Sequence, residues 1–321
     1  MSDNLLQNKR LIAGIFLISS PTLFALAAYP DTISMSWNEG RGGLMFAVVF
    51  LVAELFGIKL GISKKKLIVI IPLAIIVIAY LIALDNGLQD YIREVGEEIE
   101  VPLIYSWIWL WDYVVMTAFV VATLFIYFGT KWIRIAPAAP IFLGGSAIIL
   151  ALDALFPFDA LGPLQAFVPY LVELNVWLVN VFDLGTAIGK GNLMLLEGDH
   201  GRMALQVFWP SAGVHSVIIF SLVMGAFLLK MNIQRNRKAV YFVLGFIGTI
   251  GVNVIRIFSL SAYALLVTTD AVEWEEFHSV AGTIMFVPWL FIFLLIVTLI
   301  ETKRMKKLQA AEAENNASKN N

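Results

Sequence analysis

The stretch Trp209-Pro210-Ser211-Ala212-Gly213-Val214-His215-Ser216 leads into an apolar run that ends at Leu229, directly before Lys230. At about 1.5 Å per residue, such a run nearly covers a hydrocarbon core of about 30 Å, so residues 212–229 read as a membrane-spanning helix. The whole chain has the same character: of 321 residues, 60% are hydrophobic and 14% charged, and mean hydropathy is +0.83. These values exclude a soluble globule. Long continuous apolar runs, in place of alternating ten-residue segments, exclude a β-barrel. The expected fold class is therefore all-α: a polytopic membrane helical bundle.

Working outward from that helix, further apolar runs cover residues 11–28, 42–62, 67–84, 104–129 and 137–155 upstream, and 239–267 and 278–300 downstream. The basic clusters fix their direction. Lys9 and Arg10, Lys64 to Lys66, Lys131 and Arg134, the 230–238 run and the 303–307 run all sort to the cytoplasm by the positive-inside rule. Segment 164–184 is apolar enough to cross, but a crossing there would place the 230–238 run outside. It also carries Glu173, Asn175, Asn180 and Asp183, with Pro169 near its start, and so reads as an outer interfacial or re-entrant helix.

Eight transmembrane helices result, with both termini cytoplasmic. The acidic segments 85–100 and 268–276 and the stretch 185–210 lie outside. Ala25-Leu26-Ala27-Ala28 resembles a signal-peptidase site, but the run before it exceeds a usual signal core, so a retained helix is expected. Residues 1–307 read as one transmembrane domain, its active-site half at about 185–300, and residues 308–321 as a disordered cytoplasmic tail.

The chain has no cysteine, which excludes disulfides and thiolate metal sites, and three histidines, His200, His215 and His278, argue against a histidine-rich metal site. Neither a glycine-rich phosphate loop nor a basic nucleic-acid face is present, and no internal repeat supports an inverted-repeat transporter. No metal or cofactor is expected.

Arg256 is the most informative residue, because an arginine inside a span costs a few kcal/mol and faces a polar interior. It lies 17 residues beyond Ala239, roughly 26 Å into the membrane, just below the outer boundary. Ser211 opens its span at that boundary, and His278 opens the last one there. Each residue has a plainer reading. Arg256 could pair with an intramembrane acid, with Glu54, Asp112 and Asp153 available; Ser211 could be an N-cap; His278 could cap its helix. Asn253, one turn before Arg256, is placed to orient the guanidinium. His215, at i+4 from Ser211, is a rival base, and His200 reads as a loop residue.

The order Ser211-Ala212-Gly213, then Asn253-Val254-Ile255-Arg256, then His278 resembles the exosortase/archaeosortase family of membrane transpeptidases, the archaeal branch more closely. The resemblance covers about residues 210–299 and the eight-span layout. It implies Ser211, Arg256 and His278 as catalytic residues, with Asn253, Gly213 and His215 around them. It also implies a sortase-like reaction at the extracellular face: cleavage of C-terminal sorting signals of secreted surface proteins through an acyl-enzyme, and transfer to an acceptor, plausibly a membrane lipid. Residues 164–184 and 185–210 are then the substrate-facing walls.

The family's nucleophile is cysteine in a Cys-x-Gly motif, whereas a serine hydroxyl needs a well-placed base to attack. A serine at that position fits either a serine-using enzyme or an inactive or trapped variant. Two other readings stay open: a rhomboid-like intramembrane serine protease, and an anion channel or transporter using Arg256.

Overall fold

A computed structural model describes residues 2–33, 40–55, 62–158 and 160–319. Helices α1 (Ser2–Ala28), α2 (Gly42–Leu55), α3 (Lys64–Ala83), α4 (Gln89–Glu98), α5 (Ile104–Phe128), the single turn α6 (Trp132–Ile135) and α7 (Ala138–Leu155) form the first half. Two short helices follow, α8 (Gly162–Gln165) and α9 (Val168–Val181). Strands β1 (Thr186–Lys190), β2 (Leu193–Gly198) and β3 (Gly201–Gln206) come next, then α10 (His215–Lys230), α11 (Arg235–Leu266) and α12 (Ala271–Lys319).

Seven of these helices are long and apolar enough to cross a membrane, which makes the chain a multi-pass membrane protein. The span expected at 42–62 is helical from Gly42 to Leu55; residues 56–61, and 34–39 of the loop before it, lie outside the described residues. Helix α9, at 14 residues, is about 21 Å long and falls short of the hydrocarbon thickness. Outward faces carry Ile68, Ile75 and Ile76 on α3 and Leu244, Ile247 and Ile255 on α11, apolar surface suited to a lipid surrounding.

Charge separates the two ends of the bundle. At one end Lys66 Nζ donates to the Tyr127 carbonyl (2.7 Å), Lys230 Nζ donates to the Ile135 carbonyl (2.6 Å) and lies 3.6 Å from Glu54, and Arg237 pairs with Glu301. The opposite end carries the sheet, the start of α10 and the junction between α11 and α12.

The helical bundle is as expected, and two details differ. First, a three-stranded antiparallel sheet, order β1-β2-β3, is built within the stretch read as a loop. Its turns are two residues each, Gly191-Asn192 and Asp199-His200, and Gly191 takes a φ of +63° that a primed hairpin turn requires at its first position. One face of the sheet buries Ala187, Met194, Leu196 and Leu205 against α9 and α11, in a core that continues to Ala212.

Second, α12 starts seven residues before His278, because Asp270 Oδ1 accepts the Val272 and Glu273 amides as an N-cap. His278 therefore lies two turns inside its helix. Helix α12 runs on to Lys319, through the residues expected to form the tail; the Leu, Gln, Ala, Glu and Lys residues there are strong helix formers.

Candidate active site

Between β3 and α10 the chain makes a widened helical turn, Pro210–Val214, broken at Gly213, whose φ is +90°. Only glycine adopts that conformation cheaply, and a Cβ there would run into the Asn253 carboxamide. Trp209 anchors the entry. Its side chain is wholly buried, its indole N–H donates to the Phe156 carbonyl (3.2 Å), and its backbone N–H donates to Gln165 Oε1 (2.7 Å).

The turn leaves carbonyls that α10 does not use, and α11 supplies their donors. Asn253 Nδ2 donates to the Ala212 carbonyl and Arg256 Nη2 to the Ser211 carbonyl. Residues three apart lie on one helix face, so two successive carbonyls are held by one side of α11. Ser211 stays partly exposed, whereas Ala212, Gly213 and His215 are buried.

Arg256 also meets α12. A Cβ on Gly282 would lie 3.2 Å from Arg256 Nη1, so the missing side chain is what admits the guanidinium. Gly282 is one turn beyond His278 on that helix. Ser216, Thr249, Asn253, Arg256, Gly282 and Phe286 line a gap of about 10 Å3, room for no more than one water. Asn253 Oδ1 and Arg256 Nε make no hydrogen bond among the described residues.

His278 stacks on Trp274, with centroids 5.1 Å apart and planes at 17°, and its Nδ1 lies 3.2 Å from Glu275 Oε1. The Trp274 indole N–H is tied to the Leu260 carbonyl (3.2 Å). A carboxylate on Nδ1 orients an imidazole and leaves Nε2 to take a proton. Glu275 was not singled out in the sequence; Glu-x-x-His at i,i+3 was the signal available.

Arg256 is thus bonded to Ser211 and Asn253 to the next residue, while His278 lies one helical turn from Gly282, which packs against Arg256. Among the described residues no hydrogen bond runs from His278 to Ser211 or Arg256. His215 does not share a regular helix face with Ser211, because the break at Gly213 falls between them; its ring meets the Trp209 indole edge-on at 5.2 Å. His200 occupies the exposed turn between β2 and β3, its carbonyl accepting from Thr269 Oγ1 (3.0 Å).

The acids considered as partners of Arg256 are engaged elsewhere. Asp112 pairs with Arg41 (2.7 Å), Asp153 accepts from Ser106 Oγ (2.6 Å), and Glu54 accepts the Ala138 amide (3.0 Å). No protein-family model, curated protein or solved structure matches this chain.

Proposed function

We propose that this chain is a sortase-like membrane transpeptidase with Ser211 as nucleophile, acting at the extracellular face of an eight-span bundle whose termini are cytoplasmic. The observation that carries the reading is the arginine inside a span bonded to the backbone of Ser211 and packed on the α12 turn next to His278. Among the described residues no acid pairs with Arg256, and an arginine within a span marks a functional site by default.

In the reaction, Ser211 Oγ attacks the carbonyl carbon of a peptide bond near the substrate's C-terminal anchor as its proton passes to His278 Nε2. Glu275 holds the imidazole ring and stabilises the imidazolium that forms. Arg256 is the cation that would stabilise negative charge on the tetrahedral oxygen. Collapse returns the proton to the leaving amine and leaves an ester on Ser211. An acceptor amine, on a lipid head group, then displaces Ser211 and forms a new amide. Catalytic hydrogen bonds of this kind tighten only once substrate is bound.

Co-expression with a surface protein bearing a C-terminal anchor tests it. Ser211→Cys should keep or raise conversion of that protein and Ser211→Ala should stop it; the chain has no other thiol, so alkylation of Ser211→Cys should also block it. Unchanged gel mobility of the substrate in both variants would sink the idea. Release of a peptide with no acceptor attached would favour a rhomboid-like hydrolase instead.

The orientation has its own test. In intact cells, a membrane-impermeant maleimide should label His200→Cys and should label Asn236→Cys only after lysis. The reverse pattern would invert the topology and remove the extracellular site.

A further inference from the structure

The sheet has two edges, and the chain treats them differently. At β1 the outer edge is closed: Asn180 of α9 donates through Nδ2 to the Ala187 carbonyl and accepts the Ala187 amide on Oδ1, both at 3.2 Å. A side-chain amide there replaces a neighbouring strand. At the other edge no such cap exists among the described residues. Gly198 and Gly201 close a two-residue hairpin, so they form a hydrogen-bonded pair and the pattern alternates along the strands. Gly201, Met203 and Leu205 therefore turn their backbone groups to β2, and Arg202, Ala204 and Gln206 turn theirs outward.

Those outward amides and carbonyls meet no other element among the described residues. Beyond β3 the Val207 amide keeps to the β2 side, donating to the Asn192 carbonyl (2.8 Å), and the Gln165 side chain bonds the Val207 carbonyl (3.2 Å) and the Trp209 amide (2.7 Å). The open track is 202–206, about 14 Å long, and the same chain reaches Ser211 five residues later.

We propose that an extended segment of the polypeptide substrate adds to β3 as a fourth strand, and that this pairing delivers its scissile carbonyl to Ser211. The occupant follows from the chemistry. Donors and acceptors repeating every second residue, at about 7 Å, match another extended backbone and match neither a lipid nor a sugar. Side chains of the added strand on the exposed face lie beside Ala204, next to a shallow hollow formed with Ile188 and Leu195 and bounded by Thr186, Glu197 and Arg202. An apolar side chain fits there. The delivery step rests on the transpeptidase reading; the strand pairing does not depend on the chemistry at Ser211.

The test uses the full-length protein in nanodiscs with a single-span helix that presents a short alternating threonine–valine peptide on the sheet side. Amide exchange at Arg202, Ala204 and Gln206 should slow by about tenfold or more, with Gly201, Met203 and Leu205 unaffected. Ala204→Pro removes one outward donor and no bond to β2, and edge strands tolerate proline, so the fold persists and the slowing is lost. Exchange that does not change when the peptide is present overturns the proposal, as does slowing that survives Ala204→Pro.

In the Ser211→Cys protein, Ala204→Pro should raise KM for the anchored substrate about tenfold with kcat nearly unchanged, as expected when an interaction made equally in ground and transition states is lost. Equal KM overturns delivery along β3. Strand-induced protection without any conversion of substrate would sink the transpeptidase reading alone.

Discussion

Arg256→Ala, made in the Ser211→Cys protein, is expected to lower conversion of an anchored surface protein by about 10²- to 10³-fold, the loss typical when a donor to a developing oxyanion is removed. The guanidinium reaches the Ser211 carbonyl from α11 and touches the α12 turn beside His278, so its loss uncouples the three segments that make the site. Asn253 still holds the Ala212 carbonyl, so the turn itself should survive. Arg256→Lys keeps the charge without the planar fork and should recover only part of the rate. The check is the conversion rate measured beside unfolding of the same variants. A rate within a few-fold of the parent, with folding intact, would assign Arg256 to structure alone.

The largest effect on stability is expected from Arg41→Ala, a loss of about 3–5 kcal/mol, because removing one member of a buried ion pair strands the other. Arg41 and Asp112 side chains are 4% and 2% exposed, and Arg41 Nε lies 2.7 Å from Asp112 Oδ2. Tyr80 donates to the other carboxylate oxygen (2.9 Å), Arg41 Nη1 donates to Thr32 Oγ1 (3.1 Å), and the guanidinium lies over the Tyr29 and Trp109 rings, 5.5 Å from each centroid. The cluster ties the segment before α2 to α3 and α5. Denaturant titration in mild detergent measures the loss. Arg41→Met with Asp112→Leu should restore most of it, since an apolar pair leaves no buried charge. A loss under about 1 kcal/mol for Arg41→Ala would place the pair among weak, solvent-screened bridges.

These two arginines show how far a sequence carries. Arg256 stood out because a charge in an apolar run is conspicuous by itself, and its cost implies a purpose. Arg41 did not, because it falls in a short connection where charges are ordinary; only Asp112, 71 positions later, makes it a buried residue. The acids offered as plain partners for Arg256 were compatible with it in sequence, and packing assigned each of them elsewhere.

The membrane class, the long helices and the polar face carrying Asn253 and Arg256 were determined by sequence alone, because apolar length and helical spacing are properties of contiguous residues. Tertiary structure alone decided the sheet, whose strands are five or six residues long and joined by two-residue turns that a loop could equally contain. It alone decided that Gly213 breaks the helix so that two carbonyls turn to α11, that Glu275 faces the His278 ring, and that Asn180 closes the outer edge of β1 while 202–206 stay open. Each of these is a bond between groups remote in the chain or a rotation at one residue, and neither leaves a period in the sequence to read.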